Sequence, residues 1–375
     1  MLNVHNLLTD GEGKAMKNLR VVVRPLAMLT LLLGGIAGSQ LTTAAPTEAT
    51  QGKLAPGQTQ QVLALRPLID MAEGIAIDRR GHIFLSNRRL ENDRRVCEIL
   101  EVSLDGTTTV FATLDAAVED RFDRGIVGLA FDVRGDLYAA LISFNPETHG
   151  VWRIRRNGEA KRLAGSRNMV FPNALTFDTR GNLYVSDSSG SIWRFPPNDR
   201  GRLWFRNVLL APDPGIGANG VVFVPPRNLY VANTDRALIA RIRIRPDGTA
   251  GLSEVVASGL ELLTIDGLAV DPHGTLYGVV AASIAFGTSP LVRVDPESGE
   301  ITSATRTPEA FDIPTSLAFG RGRLDHRSVF VVNSGIFPEG RPEAAPGVVR
   351  VGISAVGHFP SANPGAVASG STDSL

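Results

Sequence analysis

A single cysteine, Cys97, stands in 375 residues, so no disulfide can form within the chain and a thiolate zinc site is excluded. An excess of charge of one sign is also missing. Lys plus Arg and Asp plus Glu number 38 each, leaving no net field to attract nucleic acid or an anionic membrane. The one basic cluster, Arg88, Arg89, Arg94 and Arg95, is interrupted by Glu91 and Asp93 and reads as a solvated loop. The apolar run 26–36 is too short to span a bilayer comfortably. After residue 50 no sustained helical period occurs, which excludes a helical core and points to an all-β chain. Tyrosine is scarce, at four residues, and all four fall at one position of a repeat.

That repeat is a sentence written six times: EGIAIDRRGHIF (73–84), VGLAFDVRGDLY (127–138), NALTFDTRGNLY (173–184), NGVVFVPPRNLY (219–230), DGLAVDPHGTLY (266–277) and, with a longer turn, TSLAFGRGRLDHRSVF (315–330). The start-to-start steps are 54, 46, 46, 47 and 49 residues. Each copy is an apolar strand, a tight turn and a second strand opening on an aromatic: Phe84, Tyr138, Tyr184, Tyr230, Tyr277 or Phe330. Two further strand-like runs follow, parted by turn signals such as Asp105-Gly106, Asn157-Gly158 and Asp247-Gly248. Four strands per unit and six units predict a six-bladed β-propeller over residues 58–359. QQVLALR (60–66) is expected to pair into the last blade and close the ring, removing its free edges.

Outside the propeller, residues 1–44 have the layout of an export signal. Lys17, Arg20 and Arg24 precede the apolar run, small residues follow it, and Met16 is an alternative start. The expected destination is the periplasm or the exterior, with no membrane attachment beyond the export signal; the alternative is that the segment stays uncleaved as a membrane anchor. Residues 45–57 read as a linker and 360–375 as a disordered tail.

The first strand of each blade lines the channel of such a fold. Its second residue is small (Gly74, Gly128, Ala174, Gly220, Gly267 or Ser316), which lets six backbones crowd one axis. The residue before it varies: Glu73, Val127, Asn173, Asn219, Asp266, Thr315. Glu73, Asn173, Asn219 and Asp266 should therefore converge at the channel mouth, although they lie up to 193 residues apart. Two carboxylates and two amide oxygens facing one point call for a cation. Calcium fits best, since it takes about six to eight oxygen ligands, and other divalent cations come next. Zinc fits poorly, because the row has no His and Asn is a weak zinc ligand. Asn and Asp before Gly also serve as plain turn or capping residues, and that alternative stays open for each residue singly. Asp78, Asp132, Asp178 and Asp271 recur in the Asp-x-x-Gly turn, where a turn role explains them fully. His82 and His273 share those turns and read as surface residues.

Glu-Gly in blade one, Pro-Asn in blade three, Asn-Gly in blade four and Asp-Gly in blade five resemble the gluconolactonase family, which includes senescence marker protein and luciferin-regenerating enzyme. Diisopropylfluorophosphatase shares the arrangement. The resemblance implies that Glu73, Asn173, Asn219 and Asp266 bind a divalent cation, usually calcium, with Asp266 as general base. Two departures, Ala174 where the family often has Asp and Phe171 where it often has Arg, bear on sugar recognition and leave the metal reading intact. Asn87, Asp187, Asn233 and Asn333, each three residues after the blade aromatic, are candidates for lining a substrate pocket; as strand-end residues they suit turns equally well. The implied activity is metal-assisted hydrolysis of lactones or related esters, with a small molecule as partner. The alternatives are a non-enzymatic propeller resembling the NHL-repeat group, holding a structural cation, and a cyclic-ester lyase, which wants a His base that the row lacks.

Overall fold

The computed structural model describes residues 52–65, 70–91, 94–114, 125–335 and 346–357. The chain divides into two units, 1–42 and 43–375, and the first lies wholly outside the described residues. So do the rest of the expected export segment and the tail from residue 360.

The second unit is the predicted all-β, six-bladed propeller. Blade four shows the plan: Ala218–Val224, Asn228–Asn233, Leu238–Ile244 and Ala250–Ser258 form an antiparallel meander, paired in sequence order from channel to rim. Apolar and β-branched residues facing both neighbouring blades bury the inner strands on two sides, which is why they read as continuous apolar runs, while the rim strand Ala250–Ser258 is mostly half-buried or exposed. The outer hairpins turn at Asp/Asn-Gly pairs, where Gly106 and Gly248 have φ of 83° and 84°. Blade six is completed by the N-terminal strand Thr59–Ala64, which pairs antiparallel with Gly347–Gly352 through Gln60–Arg350 and Leu63–Val348. Blade one differs. Its innermost strand is broken into Asp70–Met71 and Ile75–Ile77, both paired to Ile83–Glu91.

The recurring aromatic has a physical role that the repeat alone does not reveal. Each one packs into the interface with the following blade. Phe84 meets Phe131, Tyr138 meets Phe177 and Tyr277 meets Phe319 edge to face, with centroids 5.0, 5.0 and 5.4 Å apart. Phe330 of blade six packs with Ile75, Ile77 and Leu85 of blade one, so the ring closes by the same contact that builds it. Such pairs contribute about 0.5–1.5 kcal/mol each beyond their buried area.

The Asp-x-x-Gly turns at the other end of the inner strands behave as expected. Asp78 Oδ1 accepts the backbone N–H of Arg80, Gly81 and His82 at 2.8–3.0 Å, and Asp178 Oδ1 those of Arg180 and Asn182 at 2.9 and 2.8 Å. The stretch read as a linker departs from expectation over its described part. Gly57 donates to Gly352 O at 2.8 Å and accepts from Arg306 N at 2.9 Å, so residues 52–57 are stitched onto the last two blades. Backbone hydrogen bonding, which composition does not encode, holds them there.

Candidate functional site

The residue row sits on a repeated irregularity. In every inner strand the pairing register shifts at the row residue: between Pro172 and Leu175, Ala218 and Val221, Ile265 and Leu268, Pro314 and Ser316, and Ile126 and Gly128. In blade one the strand breaks outright across 72–74. A bulge inserts an extra residue and re-aims its side chain, a device common beside active sites. Here it turns the row out of strict alternation.

The row forms a closed ring of neighbours. A Cβ on Gly74 would lie 2.9 Å from Val127 O, one on Gly128 would lie 2.1 Å from Asn173 O, and one on Gly220 would lie 2.3 Å from Asp266 O. Ser186 Oγ donates to Asn219 O at 2.6 Å, and Thr315 Oγ1 donates to Glu73 O at 3.0 Å. At Gly74, Gly128, Gly220 and Gly267 the absence of a Cβ is therefore required by the backbone of the next blade's row, whereas Ala174 and Ser316 accommodate one.

Asn173, Asn219 and Asp266 all line one cavity of about 200 Å³ that runs down the channel. The two asparagines are buried and Asp266 is half-buried. Glu73 is half-buried and is not among the cavity-lining residues; its backbone stands next to Thr315, which is. Among the described residues no three His, Cys, Asp or Glu side chains gather as a metal cluster. The donor set on the cavity wall is mixed, two amides with one carboxylate. Its chemistry is all oxygen and suits a hard cation.

The amides are held from behind. Asn173 Nδ2 donates to Ser188 Oγ at 3.1 Å, and Asn219 Nδ2 donates to Thr234 Oγ1 at 3.0 Å. At the opposite end of the inner strands Arg321 enters the cavity wall. Burial and the like charge of Arg79 push its guanidinium below its ordinary value, against the pull of Asp78. The longer turn of the sixth repeat was the visible sign of this residue, although the motif pattern assigned it nothing.

None of Asn87, Asp187, Asn233 and Asn333 lines the cavity, and all four are buried. Three of them latch the loop that enters their own blade. Asp187 accepts from Val170 N at 2.8 Å and Phe171 N at 3.0 Å; Asn233 Nδ2 donates to Leu209 O and Ala211 O, both at 2.9 Å; Asn333 Nδ2 donates to Ala310 O at 2.8 Å. Asn87 lies 3.5 Å from Glu98 Oε2. At Asp187, Asn233 and Asn333 a strand-end amide or carboxylate facing a chain reversal is taken up by the backbone groups there, which is the turn role that the sequence left open for them. The loops at the row's end of the blades instead expose Phe144, Val170, Ile284 and Phe286. His149 is buried with both ring nitrogens engaged by backbone, Ser143 N at 3.2 Å and Met169 O at 2.9 Å, and so has no free nitrogen for chemistry.

Residues 206–332 match the family model of the SMP-30/Gluconolactonase/LRE-like region, a window that contains Asn219 and Asp266. No curated protein matches the chain in sequence. Among solved structures, a luciferin-regenerating enzyme is similar at TM-score 0.59 and 12% identity, over 82% of this chain and 99% of that one. The calcium-binding protein regucalcin from Agrobacterium tumefaciens is similar at 0.57 and 17%, over 79% and 94%. Virginiamycin B lyase from Staphylococcus aureus is similar at 0.50 and 12%, over 79% and 99%. At these identities the likeness is one of fold.

Proposed function

We propose that this protein is an exported, divalent-cation-dependent hydrolase of lactones or related esters. The observation that carries the reading is the convergence of Asn173, Asn219 and Asp266, from three blades, on one cavity wall. The family match over 206–332 supports a lactonase-type relationship. Calcium is the favoured cation. Asn173 and Asn219 would hold it through their amide oxygens, and Asp266 and Glu73 would balance its charge. Bound there, such a cation polarises a carbonyl and stabilises the charge that develops on its oxygen.

The rest falls to the chain's own groups. Asp266 reaches the cavity while keeping partial solvent access, as a group that accepts a proton from an incoming water must. The ring of bulged strands holds Asn173, Asn219 and Asp266 on rigid backbone, which limits reorganisation during the reaction. The exposed apolar side chains on the row's face, Phe144, Val170, Ile284 and Phe286, favour lactones carrying alkyl substituents over free sugars. The export assignment rests on the basic and apolar layout of residues 17–36.

The test is a hydrolysis panel of sugar lactones, alkyl lactones and aryl esters, run on chelator-treated and calcium-restored protein. Activity that vanishes with the chelator and returns with calcium supports the reading. Hydrolysis at equal rates in both samples defeats it.

A further inference from the structure

The strongest unassigned feature is a pair of hydroxyls behind the row. Ser188 and Thr234 each lie four residues after their blade's tyrosine, and each does two things. Ser188 Oγ donates its proton to Ala218 O at 2.8 Å, and Thr234 Oγ1 donates its proton to Ile265 O at 2.7 Å. Ala218 and Ile265 are the residues immediately before Asn219 and Asp266. A hydroxyl has a single proton. With that proton given to a carbonyl, Ser188 and Thr234 can meet Asn173 and Asn219 only as acceptors, at 3.1 and 3.0 Å. The amide nitrogens must therefore face the hydroxyls, and the amide oxygens must face away. Side-chain amides are otherwise free to turn over, and here the hydrogen-bond count removes the choice.

We propose that Ser188 and Thr234 are positioning residues: by fixing the polarity of the Asn173 and Asn219 amides, they present two carbonyl oxygens to a hard cation, and they tether the backbone that carries the next blade's ligand. The assignment rests on the cation reading above. The resulting chain runs Asn173, Ser188, Asn219, Thr234, Asp266 through three blades. Blade six repeats its backbone half, since Ser334 Oγ, also four residues after the blade aromatic, donates to Ala72 O at 3.1 Å, just ahead of Glu73. Blade two has Ile142 at this place and blade five has Ala281, so no side-chain hydroxyl stands there ahead of Asn173 or of Thr315.

The test measures calcium affinity by titration calorimetry and by terbium luminescence, so it does not depend on a substrate. Thr234→Val keeps the side-chain shape and removes the hydroxyl; Thr234→Ser restores it. Outer-shell partners of a metal ligand typically contribute about 10–100-fold in affinity. T234V and Ser188→Ala are each expected to weaken calcium binding by about tenfold or more. T234S is expected to stay near wild type. Ser166→Ala removes a buried hydroxyl that bonds Leu163 O at 2.8 Å, away from the row, and should leave the affinity unchanged. Should T234V not fold, S188A carries the same test on the neighbouring amide. Wild-type affinity in both T234V and S188A overturns the assignment and leaves the cation reading standing. A wild-type protein that binds no calcium overturns both.

Discussion

Asp178 and Asp266 are both aspartates of the repeat, yet they sit at opposite ends of an inner strand and answer to different physics. Asp178 is buried and accepts two backbone N–H groups and the Asn182 side chain, the last at 2.7 Å. Asp178→Ala strands those donors and should cost about 2–4 kcal/mol, read as a lower denaturation midpoint, with turnover per folded molecule unchanged. Asp266→Asn should do the reverse. It keeps an oxygen on the cavity wall but removes the proton acceptor, so kcat should fall by about 10²-fold or more while the denaturation midpoint stays close to wild type. A D266N enzyme with undiminished kcat would remove Asp266 from the chemistry. The sequence distinguished these two aspartates because Asp178 recurs in the Asp-x-x-Gly turn, whereas Asp266 stands at the position that varies from repeat to repeat. It did not distinguish Asn233 and Asn333 from pocket residues. Their partners, Ala211 O and Ala310 O, are backbone atoms of loops whose path no side-chain pattern records. Ser188 and Thr234 escaped notice for a related reason: only two of six repeats pair such a hydroxyl with a row asparagine, too few to read as a motif.

At the scale of the element, strand number, order and the closing strand were legible because β-structure buried on both faces writes itself as apolar runs parted by Gly turns. The bulge at the row was not. A register shift changes hydrogen-bond partners without changing residue types, so nothing in the alternation marks Pro172 to Leu175 as irregular. Closure of the ring offers a direct prediction. Arg350, fully buried on the strand that receives Thr59–Ala64, pairs with Asp325 at 2.7 Å and donates to Ser328 Oγ at 3.0 Å. Burial works to raise the Asp325 carboxyl, but hydrogen bonds from Ser328, the Arg327 backbone and Arg350 outweigh it and hold the carboxyl below its ordinary value. Arg350→Ala removes the buried partner of that half-buried carboxylate, which keeps its bonds from Ser328 and Arg327, and should cost about 1–3 kcal/mol in chemical denaturation. Loss below 1 kcal/mol would show that blade six is not locked through this pair.

At the largest scale the propeller is a ring in which each blade leans on the next through one aromatic, and all four tyrosines report on it. Burial, the largest cause in every case, raises the ionisation of Tyr138, Tyr184, Tyr230 and Tyr277, and Tyr138 is pushed up to about 12. A raised folded value means that the stabilisation is intact below the unfolded tyrosine value of about 10 and is lost as pH climbs through the folded one. Tyrosinate absorbance should therefore stay low past pH 10 and rise together with loss of the β circular dichroism signal. Ionisation near pH 10 with the signal intact would contradict the packing described. The central claim is that residues from four blades meet around one ion. The most direct measurement is a crystal of the protein grown with calcium and, in parallel, a lanthanide located by anomalous scattering. One peak at the channel mouth, about 2.3–2.6 Å from oxygens of Glu73, Asn173, Asn219 and Asp266, is the predicted result. A peak that touches none of Asn173, Asn219 and Asp266, or no peak under saturating cation, would contradict it.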